Sequence, residues 1–318
     1  MTDTNTAAAP DAVGGGANGA LLPAKLVSPL TGIALASGAY ACFAAQDAAT
    51  KWLVTDYDVA EILFIRSIVI AIISGLLARH YRHPSALRGS QRGKVLLRAA
   101  LMLAGWLLYF NASRALGLAE LTTLYFSAPI IVVFLSIVIL KEKVGVGRWT
   151  ACIGGFVGVA IAAYPTHAPS LVPAAMCLIA GGLWAWSTVL IRLVSRTQSS
   201  LSQMFATSLL FALACGLSMP FLWKTPDLTA LGLMIGLGLI SAVGQYLLYE
   251  GFRHASASTL APVEYTGLIW AFVYGYAVFA EIPAMNVFTG ALLIIGFGAF
   301  LVLWERRQAA AEKVPATA

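Results

Sequence analysis

Residues 261–280 read APVEYTGLIWAFVYGYAVFA. Between Ala255 and Ala280 the only charged side chain is Glu264. A helix needs roughly 20 mostly apolar residues to cross the hydrocarbon core of a bilayer, and this run is long enough. A carboxylate at the centre of such a helix costs about 2.5 kcal/mol or more on insertion scales. Keeping it requires a protein cavity, a cation, a proton or a neighbouring base. At helical spacing Glu264 shares its face with Ala261, Gly267, Leu268 and Ala271, small or apolar positions that permit close helix approach or leave room for a ligand. Pro262, two positions earlier, frees a backbone carbonyl, as the broken helices at transport sites do.

The rest of the chain has the same character. It has 318 residues, 59% of them hydrophobic and 11% charged, where soluble domains carry about 25% charged residues. Between Arg148 and Arg192 there is no Asp, Glu, Lys or Arg, and the segment 164–169, YPTHAP, reads as a turn inside that stretch. The periodicity predicts an all-α integral membrane protein with ten transmembrane helices, near 31–53, 59–79, 94–113, 119–140, 148–164, 171–193, 200–223, 228–250, 256–279 and 285–304. Residues 1–28 lack the basic start and apolar block of a signal peptide and read as a disordered tail. Residues 306–318 form a second tail. The net charge of +6 lies in alternate connections rather than in a basic tract interleaved with aromatics, which excludes a nucleic-acid partner. Sixteen of the twenty basic residues fall on one side if both termini are cytoplasmic, as the positive-inside rule expects. That set includes Arg98, Arg148 and Arg192 as loop-flanking charges. Cys42, Cys152, Cys177 and Cys215 lie in apolar segments without CxxC spacing and read as packing residues.

The two halves resemble each other. Leu-Leu-Tyr at 107–109 recurs at 247–249, Glu142 aligns with Glu281, Thr150 with Thr289, and LASGAYA at 35–41 with LIAGGLW at 178–184. Residues 29–165 and 170–305 thus form two repeats of five spans each, and an odd number of spans inverts the second relative to the first. The charges agree. KEKVGVGR at 141–148 is basic, whereas its counterpart AEIPAMNV at 280–287 has one acid and no base. Inverted repeats of this sort characterise secondary transporters, with a site near the membrane midplane between them.

The segments SAPIIVVFLSIVILKEKVGVGRW (127–149) and APVEYTGLIWAFVYGYAVFAEIPAMNVFTGALLIIGFGAF (261–300) resemble the paired repeat of the drug/metabolite transporter superfamily, in its EamA-type branch. The likeness extends over all ten spans. It implies a carrier for a small metabolite: amino-acid-like, S-adenosylmethionine-like, flavin-like or drug-like. It also implies that the fourth and ninth helices line a central cavity. AAQDAATKWL at 44–53 is similar to the opening helix of S-adenosylmethionine and riboflavin carriers of that branch.

Candidate substrate-binding residues are Glu264, its repeat partner Tyr125, and Tyr109, Asn111, Gln245, Tyr249, Trp270 and Trp186. Aromatic faces with a carboxylate suit a cationic or planar heteroaromatic solute. A second group, Asp47, Lys51 and Arg66, reads as a gate or ion pair, Asp47 and Lys51 being one helical turn apart. Gly154-x-x-x-Gly158 and Gly232-x-x-x-Gly236 read as internal packing rather than a dimer seam, and the assembly as monomer or dimer. Expected partners are a small-molecule substrate, the lipid bilayer and a proton; no cofactor, metal site or catalytic residue is expected. Without a Walker A sequence ATP does not drive the cycle directly. A membrane-embedded enzyme would need a motif such as HExxH or GxSxG, and neither occurs. A channel would tend towards rings of like charge. The expected location is a bacterial inner membrane.

Overall fold

The computed structural model describes residues 28–54, 56–81, 91–113, 115–116, 124–163, 171–195, 197–279 and 285–311, and every regular element among them is helical. The longer helices are α1 (Pro29–Leu53), α2 (Val59–His80), α3 (Arg92–Ser113), α4 (Ala128–Leu140), α5 (Val146–Ala163), α6 (Leu171–Ser195), α7 (Ser200–Gly216), α8 (Leu228–His254), α9 (Thr266–Phe279) and α10 (Met285–Ala311). Among the described residues, four segments are long and apolar enough to cross a bilayer by length and composition: Val59–His80, Leu171–Ser195, Leu228–His254 and Met285–Gln308.

Local chemistry sets the helix starts. Asp58 accepts from Ala60 N at 2.8 Å ahead of α2, and Asp227 from Ala230 N at 2.7 Å ahead of α8. Ser28 and Ser199 cap α1 and α7 in the same way. Each oxygen satisfies a backbone N–H that has no partner within its helix. Large apolar side chains stand outward, among them Leu76, Leu107 and Leu292. Ser67, Ser136, Ser187, Gln203, Thr207 and Ser241 are turned inward. Apolar outside and hydroxyl-rich inside is the arrangement of a bundle whose solvent is lipid.

Two expected spans differ in detail. The seventh stops at Gly216 and ends in a separate turn, Met219–Leu222, with Pro220 near its start. The first residues of the fourth, and the tails through 27 and from 312, lie outside the described residues. The ninth is broken into a helical turn (Ala257–Leu260), a 3₁₀ segment (Ala261–Tyr265) and α9. Pro262 has no N–H to bond back to the preceding turn, and the chain tightens to about three residues per turn there. Glu264 therefore does not share a regular α-helical face with Gly267, Leu268 and Ala271.

The helices pair across the two halves of the chain. The main packings are α1 on α8, α5 on α10, α3 on α6, α2 on α7, α1 on α9, α2 on α8, α4 on α6 and α3 on α7. Advancing each number by five, cyclically, maps this set onto itself. One apolar core runs through both halves, from Ile33 and Tyr40 through Val132 and Cys152 to Ile191, Leu248 and Ile294.

Helices α5 and α10 approach each other closely. A methyl group built on Gly158 would meet Gly290 O and Ile294 Cγ1 at 2.9 Å, and Gly154 lies under the Phe297 ring. The first glycine pair is internal packing. Gly232 and Gly236 meet nothing within 4 Å and share their helix with the outward Ile235, Leu239 and Val243, so the second pair is not internal. Gly158→Val should lower stability by about 1–3 kcal/mol through overpacking. Thermal unfolding in detergent checks this; a variant melting with the wild type would contradict the close approach.

Candidate functional site

The break in the ninth span places the acid. Tyr265, buried, turns into α5, its ring against Gly155 and its hydroxyl 3.8 Å from Cys152 Sγ. Glu264, one residue earlier and only 5% exposed, turns instead towards α1 and α6. There the Tyr40 hydroxyl and the Trp184 indole lie beside its carboxylate. Trp184 Nε1 is buried without a hydrogen bond in good geometry. Tyr125, on the turn before α4, is within electrostatic reach of Glu264. Its ring meets Tyr109 edge-on with centroids 4.8 Å apart, and Phe126 continues the aromatic row to Tyr265 at 6.1 Å. The expected partnership of Glu264 with Tyr125 thus has a spatial basis. Tyr40 and Trp184 are the neighbours that sequence reasoning did not assign to the acid.

Asp47 on α1 is exposed, yet it lies within electrostatic reach of Arg66, Tyr109 and Tyr125. It therefore lies where α1, α2, α3 and the turn before α4 come together. Arg66 is 5% exposed. Its Nε donates to Ser241 Oγ at 2.9 Å and its guanidinium lies over the Trp106 ring, 5.0 Å from the centroid. The one Ser241 hydroxyl proton lies between Gln46 Oε1 at 2.7 Å and Leu237 O at 2.6 Å, and the Gln46 amide lies against Asp47. No ion pair within 4 Å joins Asp47 to Arg66 among the described residues; Gln46 and Ser241 lie between them. The side chain of Lys51 lies outside the described residues.

A second buried arginine lies nearer the end of the bundle where α1 begins and α8 ends. Arg98, read from sequence as a loop-flanking charge, is 2% exposed. It donates to Thr207 Oγ1 at 2.8 Å and to the Tyr249 hydroxyl, and lies over the Tyr249 ring at 4.6 Å. Tyr249 is thus engaged by Arg98, away from its repeat counterpart Tyr109. Arg192, the other expected loop charge, is buried too and donates to Phe252 O. Gln245 lines a crevice with Arg66, Trp106, Thr207 and Ser208, and its Oε1 has no hydrogen bond.

Three candidates stand elsewhere. Asn111 is exposed in line with Ala104 and Leu107 and bonds its own helix at Leu107 O, 2.8 Å away. Trp186 is exposed in line with Ile179. Each is two residues from an inward side chain, Tyr109 or Trp184, and two residues turn an α-helix by about 200°. Trp270 stacks on Tyr274, centroids 6.4 Å apart, on the exposed part of α9.

A helical bundle with an apolar exterior and a charged, aromatic-lined interior shared by both halves is the architecture of a membrane solute carrier. The comparisons agree. The model of the EamA-like transporter family matches residues 30–164 and again 172–304, and the chain belongs to that family. It is 28% identical over 272 residues to the riboflavin transporter of Brucella anthropi, covering 83% of this chain and 95% of that one. It is 26% identical over 267 residues to the S-adenosylmethionine uptake transporter of Rickettsia bellii, 83% and 90% of the two chains. To the pseudopaline exporter CntI of Pseudomonas aeruginosa it is 26% identical over 272 residues, 83% and 93%. A crystal structure 20% identical to it superposes with a TM-score of 0.68 over 90% of this chain and 98% of that one, which shows the same fold.

Proposed function

We propose that the protein is a secondary carrier that moves a small metabolite across a bacterial cytoplasmic membrane by alternating access. Its ten spans form two inverted five-helix repeats, 29–165 and 170–305, with both termini cytoplasmic. Three observations support the inversion: the family match recurs once in each half, the helix pairing is reciprocal, and equivalent loops exchange their charge character. The substrate contacts the cavity at Glu264, Tyr125, Tyr109 and Asp47, with Tyr40 and Trp184 holding the acid and Gln245 and Tyr249 in the supporting wall. Glu264 binds one positive charge, either a cationic group of the solute or a proton.

The observation that carries this reading is a buried carboxylate on a broken helix of the second half, facing Tyr40 and Tyr125 of the first half as well as Trp184 of its own. A fixed charge at that depth is costly unless it is used. Counterflow in proteoliposomes tests the proposal. Unlabelled solute trapped inside should drive transient, saturable accumulation of labelled solute. Non-saturating flux would point to a pore, and chemical turnover of the solute to an enzyme.

A further inference from the structure

Arg66 and Arg98 are both buried, and among the described residues neither has a carboxylate within 4 Å. They share surroundings. Tyr249, which accepts from Arg98, is within electrostatic reach of Arg66, and Thr207, the other partner of Arg98, lines the same crevice as Arg66. The acid within electrostatic reach of Arg66 is Asp47, so two positive charges stand against one negative charge. An unbalanced charge at membrane depth is expensive. The crevice is also rich in donors. Arg66, Ser67, Ser208 and Gln245 line it and are each at most 9% exposed. Among the described residues the terminal nitrogens of Arg66, the hydroxyls of Ser67 and Ser208 and the amide of Gln245 have no hydrogen-bond partner.

We propose that this crevice binds a monatomic anion, a halide such as chloride, held by the Arg66 guanidinium and the hydroxyls of Ser67 and Ser208. The volume of about 10 Å³ admits one particle of roughly the size of a water molecule. A halide fits that space; sulfate, phosphate and the carboxylate of a metabolite do not. The charge balance selects an anion over water, because two guanidiniums then face Asp47 and the halide. Gln245 adds its amide N–H₂ after a half-turn of the side-chain amide. The site is separate from Glu264, and it stands whatever solute the protein moves.

Thermal unfolding of the full chain in detergent, at fixed pH and ionic strength, reads the binding. Replacing gluconate with chloride should raise the melting temperature with a saturable dependence, as a ligand of the folded state does. Bromide should act like chloride, and sulfate should not. Arg66→Gln should weaken the apparent chloride affinity about 10- to 100-fold, the effect of losing a hydrogen bond to a charged group. Ser208→Ala should weaken it about two- to tenfold. Arg253→Gln, which removes an exposed arginine paired with Glu250, should leave it unchanged. Crystals soaked in bromide give a readout that needs no variant: an anomalous peak should lie within hydrogen-bond distance of Arg66 and Ser208. If Arg66→Gln does not fold, Ser208→Ala and that peak decide. Equal melting in chloride and gluconate, a chloride response that survives Arg66→Gln, or a water in place of the bromide peak would each overturn the assignment.

Discussion

Glu264→Gln is expected to reduce transport by roughly 10- to 100-fold, the effect of losing a hydrogen bond to a charged group, about 1.5–3 kcal/mol. The same variant should insert, stay monodisperse and melt no lower than the wild type. The amide fills the space of the carboxyl and removes the charge whose burial the fold has to bear. Function lost with stability kept is the signature of a charge retained for use. If the carboxylate served packing alone, transport would continue at the wild-type rate. Whatever pH dependence the wild type owes to this carboxyl should vanish with the Gln substitution. An unchanged profile would assign the titrating group elsewhere.

Glu142→Ala is expected to loosen the end of the bundle where α1 begins and α8 ends. The Glu142 carboxylate accepts from Ala257 N at 3.2 Å, Ser258 N at 3.1 Å and Ser258 Oγ at 2.7 Å. These bonds tie the loop after α4 to the turn that leads into the break at 261–265. Arg148 extends the cluster, reaching Ser258 Oγ at 3.2 Å and Glu305 Oε1 at 2.8 Å. Losing the charge-assisted bonds together should cost about 2–4 kcal/mol. A cysteine placed at the buried Ala255 should react with a soluble maleimide about tenfold faster in the Glu142→Ala background. Unchanged reactivity and an unchanged melting temperature would show that the cluster does not hold this end closed.

The membrane class and the single acid of the ninth span were legible because both are visible along one strand of text. Composition excluded water as the solvent, and a lone Glu in a long apolar run is conspicuous. The break around that acid was only half legible. Pro262 pointed to it, but a helical wheel assumes a constant period, which a 3₁₀ turn does not keep. Helix direction misled in the other cases. Asn111 and Trp186 look equivalent to Tyr109 and Trp184 in the sequence, yet a 200° turn sends them outward. Arg98 looked like a loop charge because it follows Arg92 and Lys94. Its spacing to Met102 and Gly105, three to four residues at a time, places it on the inward stripe that ends at Tyr109. The cluster of Gln46, Ser241 and Arg66 joins α1, α8 and α2, and no local pattern announces a contact between residues 175 positions apart.

The account stands on the inversion of the second half relative to the first. Single cysteines at Ser85, after α2, and Met285, at the start of α10, labelled with a membrane-impermeant maleimide in oriented vesicles, test it most directly. The two positions should label from opposite sides of the bilayer. Labelling of both from the same side would contradict the inverted arrangement and the shared cavity built on it.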